Sequence, residues 1–270
     1  MRASAHFSTA VTRAQQPALA LFAMGMMALG ILALIYGDFA LVWQPVAAWV
    51  PARTALAYAS GILMLATGAG LLFRATVAWS VRILFPYLVA WALLKAPPLF
   101  TAPRIEGNWL GIGELTVLLA GGWTLFATLA DLPETSFFAF ASGERGVRIA
   151  RIVFAVSLAP IGLSHLVYVQ ATAGYVPAWL PDRTFWAYLT GVGQMACGLG
   201  VLFSIWSRVA AFAEAAMLTL FTLLVWVPAV AAAPTARLPW TALFISWAIT
   251  SAAWVVAGNI PARKRQNADA

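Results

Sequence analysis

Charged residues are scarce in this chain. They fill 9% of its 270 positions, where a soluble globular domain carries about 25%. Hydrophobic residues make up 63% and the mean hydropathy is +0.86. No compact soluble fold of this length could hide that much apolar surface, so lipid must be the solvent for most of it. Cysteine is scarcer still. The single Cys197 excludes a disulfide framework, a CxxC motif and a cysteine-based metal site. Histidine occurs twice, as His6 in the N-terminal tail and His165, which excludes the paired axial histidines of a membrane cytochrome b. No stretch alternates with the period of a barrel strand. No glycine-rich phosphate loop follows a strand. No Ser/His/Asp set and no cluster of metal-ligand spacing is present, so neither a catalytic residue nor a metal is assigned.

What the chain has in quantity is apolar runs. Eight are readable, near 17–36, 54–73, 76–96, 109–130, 149–168, 184–203, 208–229 and 239–257. Each is long enough to cross a hydrocarbon core of about 30 Å as a helix. The pattern predicts an all-α, polytopic membrane protein with eight transmembrane helices. The first run follows Gln16 and is longer than a signal-peptide core of about 7–15 residues, so it reads as a span.

The net charge of +7 could suggest nucleic acid, but its distribution points to orientation. With eight spans, one side holds Arg2, Arg13, Arg74, Arg82, Arg145, Arg148, Arg151, Arg208, Arg263, Lys264 and Arg265, eleven in all. The other side holds Arg53, Lys95, Arg104, Arg183 and Arg237, five in all. The positive-inside rule then places both termini in the cytoplasm. The expected partner is the lipid bilayer of the inner (plasma) membrane, not nucleic acid.

The sequence repeats itself. AWVPARTALAY at 48–58 and AWLPDRTFWAY at 178–188 agree at seven of eleven positions, 130 residues apart. At the same offset Gly61, Ala66, Gly68, Gly70, Leu72 and Phe73 match Gly191, Ala196, Gly198, Gly200, Leu202 and Phe203. At an offset of 131, Ala102, Pro103, Trp109 and Trp123 match Ala233, Pro234, Trp240 and Trp254. This is a duplication signature. Each copy holds four spans, an even number, so the copies enter and leave on one side and are parallel repeats. The resulting division is a cytoplasmic tail over 1–16, a first four-helix repeat over 17–130 and a linker over 131–147. A second repeat over 148–258 and a basic cytoplasmic tail over 259–270 follow.

The repeated motif marks the non-cytoplasmic corner leading into the second and sixth spans. Trp49 and Trp179 suit the headgroup level. Thr54 and Thr184 are candidate caps. Arg53 and Arg183 either snorkel to lipid phosphates or pair with an acid such as Asp38, Asp182 or Glu114. The glycines Gly61, Gly68, Gly70, Gly191, Gly198 and Gly200 predict close helix contacts of the small-residue kind, with spans two and six as the central packing helices.

Ionisable and strongly polar groups within spans are the default functional candidates. Arg82 and Glu214 lie at nearly equivalent depths in the two halves, which predicts an intramembrane ion pair; the alternative is a snorkelling Arg82 and a Glu214 that caps loop groups. A three-residue gap aligns His165 with Asp38. That suggests two related polar sites at the outer face, Asp38 with Arg53 and Glu114, and His165 with Arg183 and Gln194. The alternative is a solvated helix end. Pro86 and Pro160 should kink the third and fifth spans.

The run GLSHLVYVQATAGYVPAWLPDRTFWAYLTGVGQMACGLGVLF, followed by SRVAAF and a span with Met217, resembles the DoxX-like membrane protein family. The likeness covers about 150–258 well and reaches the first half through the duplication. It implies a fused tandem of two four-helix units. Members of that family often carry a glutamate in the second helix, where Gln194 and Met64 stand here, so this chain departs from them in both copies. Some members work with redox systems, among them a subunit of a thiosulfate:quinone oxidoreductase. The resemblance therefore implies a non-catalytic membrane subunit or scaffold with a redox protein partner. No cofactor is predicted from the residues, and quinone is the one that the likeness brings into consideration. A small-molecule transporter and an integral quinone-binding oxidoreductase subunit are the alternatives.

Overall fold

The computed structural model describes residues 16–133 and 135–261. Most of the two tails, with Arg2, His6, Arg13, Arg263, Lys264 and Arg265, lies outside the described residues. The described residues are all-helical in their regular structure, with eight helices long and apolar enough to cross a membrane, the mark of a multi-pass membrane protein. They are α1 Gln16–Tyr36, α2 Arg53–Leu71, α3 Val77–Lys95, α4 Glu106–Leu129, α5 Gly143–Val167, α6 Arg183–Leu202, α7 Ser207–Phe221 and α8 Arg237–Gly258. Short helices at Pro97–Thr101 and Val227–Ala232 extend the third and seventh spans. The linker is shorter than expected: α5 begins at Gly143, and the linker's three phenylalanines, Phe137, Phe138 and Phe140, are exposed. Two of them, Phe137 and Phe138, meet edge-on, and Phe138 also meets Phe85 and Phe126.

Helices that follow one another in the chain pack side by side, and α8 closes the ring against α1. Across the ring α8 packs extensively on α4, with a slighter contact to α5. The contact with α4 corrects the expectation about the centre. The apolar windows of α4 and α8 are 72% and 61% buried, against 39% and 28% for α2 and α6. The reason lies in side-chain size. A Cβ built on Gly121 of α4 would stand 2.4 Å from Ala252 Cβ and 2.6 Å from Ala252 Cα. Hydrocarbon does not drive helices together as water does, so such backbone contact between small residues decides which pair crosses the middle. The offset of 131 maps Gly121 onto Ala252, so two matched positions touch each other.

The glycines of α2 and α6 do pack helices closely, but at the periphery. Gly61 lies against Gly30 O and Ala33, and Gly191 against Gly162 O and His165. Gly68 meets Ala23 O, and Gly198 meets Ala155 O. Gly70 meets Ser80 Oγ, and Gly200 meets Ala210 and Ile205 O. These contacts align α1 with α5 at an offset of 132, so His165 stands where Ala33 does. The alignment of His165 with Asp38 is therefore corrected.

The repeated motif has one backbone in both copies. Ala52 and Asp182, each just before its helix, are left-handed at φ 53° and 44°. The cap is not threonine: Asp182 Oδ1 accepts from Phe185 N at 3.0 Å, and Ala52 offers nothing. Trp49 and Trp179 are exposed, as rings at a headgroup boundary should be. Pro86 and Pro160 lie inside α3 and α5. The sequence did not suggest the π-helical segment Thr222–Trp226, which precedes Pro228, a residue without an N–H to donate.

Candidate functional site

At the end of the bundle where α1 runs out and α2 and α8 begin, three charged residues form a clasp. Asp38 Oδ1 accepts from Arg53 Nη1, and Asp38 Oδ2 accepts from Arg237 Nη1 at 2.9 Å. Asp38 Oδ1 also takes the N–H of Phe39 at 2.8 Å. Arg237 Nη2 donates to Phe39 O at 2.7 Å, and Arg53 Nε to Val46 O at 3.3 Å. The guanidinium carbons lie over rings, Arg53 at 5.6 Å from Phe39 and Arg237 at 5.0 Å from Tyr36. Burial alone would raise the pKa of Asp38, but Arg237, the Phe39 N–H and Arg53 outweigh it and hold the carboxyl below its ordinary value. The expected Asp38–Arg53 pair is present. Arg237, from the opposite half, was missed, although its match with Glu106 at the offset of 131 marks both as residues that start a helix.

Beneath the clasp the α1–α2 loop turns inward. Phe39, Ala40, Trp43 and Gln44 are all buried. Gln44 Nε2 donates to Ser60 Oγ at 3.0 Å and to Tyr87 Oη at 2.8 Å, and Ser60 and Tyr87 hydroxyls lie 2.7 Å apart. Gln44 Oε1 accepts from Ala40 N at 2.8 Å, so the loop is bonded at both its own backbone and two helices. Trp91 packs against Phe39, Trp43 and Tyr87. Glu114 does not join Asp38 and Arg53 in a hydrogen bond. It lines a cavity of about 10 Å³ with Trp43, Leu29, Leu115, Ile245 and Ile249, a volume on the scale of one water molecule. Lys95 Nζ donates to Val42 O, and its stem lies over Gly111, three residues before Glu114.

The second half does not reproduce this arrangement. Its equivalent loop contains a short helix, Val169–Tyr175, in which only Ala173 is buried. His165 Nδ1 lies 2.9 Å from Thr190 Oγ1, and its ring meets Phe221 at 5.7 Å. Arg183 is exposed and makes no ion pair among the described residues. Gln194 turns away from both: Nε2 donates to Glu214 Oε1 at 3.3 Å, with both residues fully buried. The expected group of His165, Arg183 and Gln194 is therefore not assembled.

The Arg82–Glu214 pair is also corrected. Arg82 Nε donates to Ala130 O at 2.7 Å and Arg82 Nη2 to Asp131 O at 2.6 Å. Arg82 is thus taken by the orphan carbonyls at the C-terminal end of α4, where a cation is favoured. Glu214 is left to Gln194. Glu106, first residue of α4, was not singled out in the sequence; it is buried with neither carboxylate oxygen bonded among the described residues. At the opposite end of the bundle a groove of about 630 Å³ is lined in part by Arg208, Phe212, Trp254 and Asn259. No group of His, Cys, Asp and Glu suited to a metal occurs among the described residues.

A family described as a domain of unknown function (DUF8561) matches residues 154–252, which run from α5 to α8. No curated protein and no solved structure matches the chain.

Proposed function

We propose that the chain is a DoxX-like protein of the inner (plasma) membrane that serves as a non-catalytic subunit or scaffold beside a quinone-linked redox system. Its two four-helix halves arise by duplication and lie parallel, with both termini in the cytoplasm. The carrying observation is the internal use of its charge. Asp38, Arg53 and Arg237 tie α1, α2 and α8 together, and Arg82 closes the end of α4. Side chains spent on joining helices favour a structural role over turnover. The apolar flanks of α6 and α7, whose windows are 28% and 17% buried, leave lipid or another membrane subunit as their neighbour. The duplication is supported by Trp109 and Trp240, which donate to Pro103 O and Pro234 O at 2.8 Å in each half. The orientation rests on the eleven-to-five division of basic residues. Affinity isolation in mild detergent tests the reading: a redox polypeptide should copurify, and a solitary protein free of quinone would overturn it.

A second reading, a small-molecule transporter, draws on Gln194 and Glu214, a polar pair buried within the spans. Transporter sites lie at such depths. Uptake by vesicles that falls in Gln194→Leu or Glu214→Gln would favour it over the scaffold.

A further inference from the structure

The two halves place different chemistry at equivalent positions. At the offset of 130, Gln194 and Glu214 stand where Met64 and Leu84 stand in the first half. All four side chains are buried. The first-half positions are apolar, and the second-half positions set an amide against a carboxyl. Gln194 Nε2 donates to Glu214 Oε1. Gln194 Oε1 and Glu214 Oε2 have no partner among the described residues.

Those two atoms cannot satisfy each other if the carboxyl is ionised, because both then only accept. Carbonyl and carboxylate oxygens left unbonded in hydrocarbon are costly, since no water is there to serve them. A proton on Glu214 Oε2 changes the count. The acid O–H donates to Gln194 Oε1 while Gln194 N–H donates to Glu214 Oε1. Both orphan atoms are then bonded, with no third group required.

Among the described residues the neighbours offer no alternative partner. On α6 the nearby titratable group is Cys197, whose interaction with Glu214 is between two acids. The only ionisable residue of α8 is Arg237, at its far end and bonded to Asp38. On α7 itself, Arg208 is exposed and lies over the Phe212 ring at 5.5 Å. Arg82 is held at Ala130 and Asp131. Among the described residues no cation is therefore placed to hold a carboxylate. The polar character extends along α6: Thr190, one turn before Gln194, bonds His165, which replaces the Ala33 of the first half.

We infer that Gln194 and Glu214 form a proton-bearing amide–acid latch between α6 and α7, a site found in the second half alone. Loss of the proton leaves two acceptors face to face and loosens that helix contact. Infrared spectroscopy of the full-length protein in detergent at neutral pH tests this. A carboxylic-acid C=O band should be present, should vanish in Glu214→Gln, and should move to higher frequency in Gln194→Leu as the amide bond is lost. A spectrum unchanged by Glu214→Gln would overturn the latch. A band that Glu214→Gln removes but Gln194→Leu leaves in place would overturn the amide's part in it. If Glu214→Gln fails to fold, the double variant Gln194→Met with Glu214→Leu supplies the baseline, because it installs the apolar residues buried at the matching first-half positions.

Discussion

Replacement of Asp38 by asparagine should loosen the bundle at the point where its first and last spans meet. Asp38 keeps its shape in this variant but loses its charge. Two arginine donors lose a carboxylate acceptor, and each hydrogen bond to a charged group contributes about 1.5–3 kcal/mol. The side chains of Asp38, Arg53 and Arg237 are about a quarter exposed, at 23%, 29% and 24%, so water replaces part of what is lost. Arg237 Nε is already buried with no partner among the described residues, which makes its guanidinium the more costly one to abandon. The expected cost is about 2 kcal/mol, read as a lower midpoint of thermal unfolding in detergent. A double-mutant cycle isolates the interaction. Arg237→Gln should cost much less in the Asp38→Asn background than alone, with a coupling of about 1 kcal/mol or more. The pH dependence has a definite sign. A carboxyl held below its ordinary value contributes stability that is present above about pH 4 and lost as pH falls through the folded-state value. Asp38→Asn should abolish that part of the acid sensitivity. Zero coupling between Asp38 and Arg237, or an unchanged acid profile, would refute the reasoning.

Three further outcomes follow from the geometry. Ala52 holds a left-handed backbone with no cap, so Ala52→Asn should stabilise the protein by about 1 kcal/mol, while Asp182→Ala should cost about as much; melting in detergent reads both. Gly121→Val forces a side chain into the Ala252 backbone and should cost about 3 kcal/mol, with partial recovery in Ala252→Gly. Tyr87→Phe removes the hydroxyl shared by Gln44 and Ser60, at about 1–3 kcal/mol, and should speed proteolysis within the loop at 37–52.

Amino-acid order by itself determined the solvent, the span count and the self-match between the two halves. Each of these depends on quantities that accumulate along the chain: hydropathy over about 20 residues and self-match at a fixed offset. The glycine contacts of α2 and α6 were legible for the same reason, since small-residue spacing on one helix face is a local pattern. The Asp38–Arg53 bond was legible because a short loop joins the two. Only the tertiary structure decided which helices cross the centre, because the Gly121–Ala252 contact depends on backbones meeting 131 positions apart. It alone brought Arg237 to Asp38, 199 residues away. It also sent Arg82 to backbone carbonyls instead of to Glu214. Side-chain reach is a few ångströms, so a partner is chosen by where helices finally pack, and depth in the membrane narrows that choice without making it.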